Sequence, residues 1–245
     1  KVNIYCPYNY RYCSYLCINI KIINMKKIIV LALMLVVSFS AFSQDSCKIS
    51  LKASADLVNR DVFRGMMCDQ NSAHIQPTFS IYNNVFEVGA WGSYGISDSY
   101  CEIDAYAKIN INKLTVGYVN YNMPKGVGSD SNFSKDTYNK GEVNLAYSGK
   151  VNVLVATFLY GDSKNYSTYA EISKQFELNK LPINLFIGVT PFNGYYGSKF
   201  NLVNVGVTGT SYISINEKVK LPIYATLCGN PDSKKVYFII GVTIK

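Results

Sequence analysis

From Lys48 onward the chain alternates apolar and polar residues in runs of about ten, and no segment keeps a helical period. In the first run Ile49, Leu51, Ala53, Ala55 and Leu57 share one face, with Ser50, Lys52, Ser54, Asp56 and Arg60 on the other. The second sets Ile75, Phe79 and Ile81 against His74, Gln76, Thr78 and Ser80. The third sets Phe86, Val88 and Ala90 against Glu87, Gly89, Trp91 and Ser93, and the fourth sets Ile103, Ala105, Ala107 and Ile109 against Glu102, Asp104, Tyr106 and Lys108. Further strands are expected at 114–122, 141–148, 151–160, 166–176, 181–190, 201–215, 219–227 and 235–244, which makes twelve in all.

The connections alternate in length. Asn83-Asn84, 110–113, Gly149-Lys150, 177–180 and 216–218 are short and turn-like, whereas 65–72, 95–99, 123–140, 161–165, 191–199 and 228–234 are longer and polar. An even number of strands near ten residues, with short and long connections in strict alternation, is the pattern of a transmembrane antiparallel up-and-down β-barrel, its turns periplasmic and its loops extracellular. A soluble β-sandwich or a lipocalin-like barrel alternates as well, and parity does not say which face is inside. Composition separates the two. Charged residues are 16% of the chain, against roughly 25% in soluble domains. The 21 tyrosines suit the aromatic girdles of a membrane-facing wall. The expected fold class is therefore all-β, a barrel of about twelve strands.

Upstream the pattern changes. Lys26 and Lys27 follow Met25, Ile28 to Val37 is unbroken apolar sequence, and Ala41-Phe42-Ser43 precedes Gln44, which together describe a secretory signal peptide. The apolar run is too short for a membrane anchor. The expected organisation is an upstream segment 1–24 outside the working protein, a signal peptide 25–43 cleaved between Ser43 and Gln44, and an outer-membrane barrel 44–245. The charge balance moves with it. All 245 residues carry 24 bases and 16 acids, a net +8 that points to nucleic acid or an anionic surface. Lys1, Arg11, Lys21, Lys26 and Lys27 leave with the first 43 residues and no acid does, so 19 bases face 16 acids and the balance falls to +3. With no RNP motif, zinc knuckle or basic helix, no nucleic-acid partner is expected. The partners expected are outer-membrane lipid and small solutes, with no cofactor and no metal.

In the membrane orientation the polar face lines the lumen. Asp56, Glu87, Glu102, Asp104, Glu142 and Glu171 then oppose Lys52, Arg60, Arg64, Lys108, Lys220 and Lys235. Across the hairpin of the third and fourth strands, parity permits a register with Glu87 opposite Lys108 and Trp91 opposite Asp104. These residues form either an internal network that pairs its own charges or a constriction that selects solutes by charge. Twelve strands leave a narrow passage at most.

The stretch Asp56-Leu57-Val58-Asn59-Arg60-Asp61-Val62-Phe63-Arg64-Gly65, then Gln76-Pro77, Gly89-Ala90-Trp91-Gly92-Ser93 and Glu102-Ile103-Asp104, resembles the TorF family of bacterial outer-membrane barrel proteins, which are described as porins and are uncharacterised. Glu142, Tyr169-Ala170-Glu171, Asn204, Leu221-Pro222 and Asn230-Pro231 are similar to the same pattern. The resemblance implies an outer-membrane barrel and brings no substrate. The chain departs from it at Asp61, where an aromatic residue is usual, and in its loop cysteines.

Enzymatic motifs are absent from the sequence: there is no G-x-S-x-G, P-loop or H-E-x-x-H. A hydrolase would have to use His74, near Ser72, Ser80 and Gln76. Of the cysteines that follow the signal peptide, Cys68, Cys101 and Cys228 fall on the long-loop side and Cys47 on the turn side. Closure brings the last loop beside the first, so a Cys68–Cys228 disulfide is expected. The functional expectation is passive movement of small solutes, against a non-conducting structural or adhesive barrel and, third, a hydrolase.

Overall fold

The computed structural model describes residues 48–68, 71–97, 100–122, 139–161, 166–216 and 219–245. The segments expected as upstream sequence and signal peptide lie outside them with Cys47, as does most of the 123–140 connection. Twelve long strands close into one antiparallel up-and-down barrel: β1 (Ser50–Val58), β4 (His74–Tyr82), β5 (Phe86–Gly95), β6 (Cys101–Ile111), β7 (Leu114–Asn122), β8 (Asn139–Tyr147), β9 (Asn152–Tyr160), β10 (Thr168–Leu178), β11 (Leu181–Thr190), β12 (Asn201–Ser214), β13 (Lys220–Asn230) and β14 (Lys235–Ile244). Each lies within a few residues of an expected strand. A two-stranded hairpin, β2 (Val62–Phe63) and β3 (Met66–Met67), stands apart from the wall.

The apolar face points out. Leu51 is 69% exposed and Val236 71%, and Phe79, Val88, Ile103, Ile172 and Ile187 are exposed with them. Their neighbours of opposite parity, including Ser80, Ser93, Glu102, Asp104 and Glu142, are buried. Closure of the sheet turns one face of every strand into the lumen, so the interior is built from the polar set. Among the described residues, an apolar core forms in the lumen at the end of the long connections. There Phe158, Tyr169, Tyr196 and Val203 pack with Phe63, Met66, Tyr121 and Leu154. Val203 is skipped by the pairing at the bulge where Gly188 faces Asn204 and Val189 faces Leu202, and it is fully buried in this cluster. Toward the turn end the inward-parity residues Lys52, Gln175 and Glu177 are exposed. The lumen is thus filled at one end and open at the other.

The region after β1 departs from expectation. The sequence reads Arg60 as part of the first strand's polar face and 65–72 as a loop. Instead β1 ends at Val58, and Asn59 finishes the seam: its Nδ2 donates to the Phe238 carbonyl at 3.1 Å and its Oδ1 accepts the Ile240 amide at 2.9 Å. The chain then turns inward as the β2–β3 hairpin, with Val62 opposite Met67 and Phe63 opposite Met66. Its two turn residues, Arg64 (φ 50°) and Gly65 (φ 77°), both have positive φ, the geometry of a tight two-residue hairpin loop. A Cβ at Gly65 would stand 2.2 Å from the Val203 carbonyl oxygen, so the hairpin tip is seated against the backbone of β12.

Gly65→Ala is expected to destabilise the barrel by about 1–3 kcal/mol through strained φ and this contact. Trp91 is the sole tryptophan, so its emission during denaturant unfolding reports the shift in midpoint.

Candidate functional site

The hairpin carries Arg64 into the lumen. Its guanidinium meets Glu142 of β8 in a two-pronged pair, Nη1 to Oε2 at 2.6 Å and Nη2 to Oε1 at 3.0 Å. Nη1 also donates to the Tyr196 hydroxyl. The same group lies 4.5 Å from the Phe63 ring centre, 4.7 Å from Tyr169 and 5.7 Å from Tyr196. Glu142 further accepts the Tyr121 hydroxyl at 3.2 Å. A fork-shaped cation between aromatic faces and a carboxylate suits arginine and not lysine. Burial pushes the Tyr196 phenol above its ordinary value even against the pull of Arg64, so it stays protonated.

The other acids are held separately. Glu102 accepts the Tyr100 hydroxyl, Glu171 accepts the Tyr169 hydroxyl, and Asp104 accepts the Asn122 amide at 3.2 Å. Glu87 accepts the Tyr106 hydroxyl at 2.8 Å and is ion-paired with Lys108 at 3.6 Å. In the β5–β6 register Glu87 faces Lys108 and Trp91 faces Asp104. Burial, with the Glu102 carboxylate beside it, pushes the Tyr100 phenol well above its ordinary value.

A second network surrounds His74, which is fully buried. Its Nδ1 lies 2.8 Å from the Ser93 hydroxyl, which donates to Asp61 at 2.8 Å and accepts from Gln76 Nε2 at 3.2 Å. The hydroxyl proton goes to Asp61, so the imidazole acts as donor to Ser93. A nucleophilic serine needs the reverse order, with histidine accepting its proton. This arrangement ties the stem of the inward chain to the wall.

Between the hairpin and the β11–β14 side of the wall lies a cavity of about 250 Å³, lined among others by Arg60, Gln76, Asn204, Thr208, Tyr224 and Cys228. The Arg60 Nε is buried without a hydrogen-bond partner, and so is Asp56 Oδ1 on β1.

The expected Cys68–Cys228 disulfide is not formed; both residues are thiols. Cys228 belongs to β13, opposite Gly206 and Tyr237, and lines the cavity, whereas Cys68 sits on the hairpin stem with its amide on the Asp61 carbonyl at 3.1 Å. The inward turn of 60–68 draws Cys68 away from the rim where closure alone would have left it. Of the residues expected in the lumen, only Arg64 and Glu142 join as a direct pair across the barrel, and Glu87 and Lys108 pair across one hairpin. Tyr121 and Tyr196 were not foreseen, and Ser93 and Asp61 were placed without a partner. The one available sign was Arg64-Gly65 between Val62-Phe63 and Met66-Met67, a hairpin signature that begins before the expected 65–72 loop.

No family model and no curated protein matches the chain. Among solved structures, a chain from the work described as "Unveiling the Mechanism Behind the in-meso Crystallization of Membrane Proteins" superposes with a TM-score of 0.41 at 10% identity, over 78% of this chain and 82% of that one. Likeness at that level does not bear on function.

Glu142→Leu strands the Arg64 charge and is expected to cost about 3–5 kcal/mol, whereas Arg64→Met combined with Glu142→Leu costs less than the two changes summed. Denaturant midpoints of the single and double variants give the comparison. Alkylation of unfolded protein without reductant is expected to label both Cys68 and Cys228, as read by peptide mass.

Proposed function

We propose that the protein is an outer-membrane barrel that lets small solutes pass through a lumen narrowed by the Arg64 hairpin. The observation that carries this reading is the inverted wall. Large apolar side chains such as Leu51, Phe79, Ile103, Ile187 and Phe238 are exposed on the outside of the barrel, and acids such as Glu102, Asp104 and Glu142 are buried within it. Water is a poor solvent for so much continuous apolar surface, and lipid a good one. Tyr118, Tyr160 and Asn120 hydrogen-bond to one another on the outer surface near the long connections, where a membrane interface would favour amphipathic side chains. The resemblance to the TorF family points the same way.

A second reading, a non-conducting structural barrel, is favoured by one observation, the filling of the long-connection half by the hairpin and its aromatic cluster. The cavity beside the hairpin favours passage instead.

The membrane reading is tested by heat-modifiable gel migration, which a folded membrane barrel is expected to show and a soluble one is not. In planar bilayers the wild type is expected to give small single-channel currents, and Arg64→Ala severalfold larger ones, because the hairpin loses its anchor. Silence of both folded proteins would favour the non-conducting barrel.

A further inference from the structure

We propose that the cavity beside the hairpin is a binding station for a small hydroxy- or amino-carboxylate, with Arg60 holding its carboxylate. The inference rests on the reading that small solutes enter the lumen, and it names their chemistry. The cavity, at about 250 Å³, has room for a molecule of a few carbon atoms with its bound water.

The lining divides into committed and uncommitted groups. Arg64 is paired with Glu142, Asp61 accepts from Ser93, and the Thr208 and Thr226 hydroxyls bond to each other at 2.8 Å. Arg60 has no ion-pair partner among the described residues, and its Nε is buried and unpartnered at the cavity wall. A buried guanidinium N–H without an acceptor is unfavourable, and a carboxylate is the acceptor whose geometry matches the guanidinium fork. The remaining groups ask for the opposite. Gln76 spends its Nε2 on Ser93, and Asn204 spends its Nδ2 on Tyr169 and Glu171. Each therefore has only its side-chain carbonyl left to offer a donor. Asp56, paired in register with Gln76 but outside the cavity lining, takes no part in this set. One cation facing a set of acceptors fits a molecule with a carboxylate at one end and a hydroxyl or amino group at the other. A simple carboxylate satisfies only Arg60, and a polyol only the acceptors.

The test is titration calorimetry on the full chain folded in detergent, with L-lactate, L-alanine, propionate and glycerol as probes. Lactate or alanine is expected to bind saturably, propionate more weakly, and glycerol without saturation. Arg60→Gln is expected to weaken lactate binding about tenfold or more, the scale of a lost charge-assisted contact. Arg60→Lys retains the charge without the fork and falls between. Heat-modifiable migration and Trp91 emission establish that each variant is folded, and Lys113→Gln in a surface turn leaves binding unchanged. Should Arg60→Gln not fold, Arg60→Lys carries the test. Lactate binding no better than glycerol, or unaltered affinity in the folded Arg60 variants, overturns the proposal. Flux through liposomes separates the two readings. Binding without flux overturns passage and keeps the station, while flux with no distinction between lactate and glycerol overturns the station and keeps passage.

Discussion

The interior of this barrel depends on the buried pair of Arg64 and Glu142. Neither charge is tolerable alone in the packed half of the lumen, where an unpaired ion costs several kcal/mol. The hairpin that carries Arg64 therefore cannot swing outward without stranding both. From that constraint follow the seating of Gly65 against β12, the stacking of Phe63, Tyr169 and Tyr196 around the guanidinium, and the closure of the long-connection end. The cavity exists because the hairpin roofs it.

Arg60 and Arg64, four positions apart, have opposite relations to the protein. Arg64 has its charge and planar faces fully occupied by the chain, and its role is architectural. Arg60 stands just outside the last paired residue of β1, lines the cavity and has no carboxylate partner among the described residues. Several other lumen acids are satisfied by tyrosine hydroxyls or lysine: Glu102 by Tyr100, Glu171 by Tyr169, Glu87 by Tyr106 and Lys108. The tyrosine excess thus has two uses. Some tyrosines face outward as amphipathic surface, and others donate to carboxylates that must be buried for the sheet to close.

Much of the wall was legible because period-two alternation leaves little freedom: once Phe86, Val88 and Ala90 share a face, Glu87 and Trp91 must share the other. Parity then permits the Glu87 and Lys108 register that the β5–β6 pairing adopts. What escaped was the stretch from Asn59 to Cys68, which has too few residues per strand for alternation to register. Arg60 was read as strand because its type fits a polar face, yet backbone pairing stops at Val58 and Asn59 completes the seam with its side chain. The cysteine pairing failed for the same reason. Adjacency of first and last loops is a property of closure, and the inward hairpin removed Cys68 from the rim.

By itself the sequence determined the strands, their order and which residues share a face, because these depend on periodicity and turn chemistry over short distances. Only the tertiary structure decided how the polar face is used. Side chains from strands far apart in sequence, such as Arg64 and Glu142, meet across a lumen whose width is set by closure of all twelve strands. Pairing there depends on three-dimensional reach and on which charges burial refuses to leave alone. The division between the filled half and the cavity beside Arg60 is therefore a property of the closed barrel.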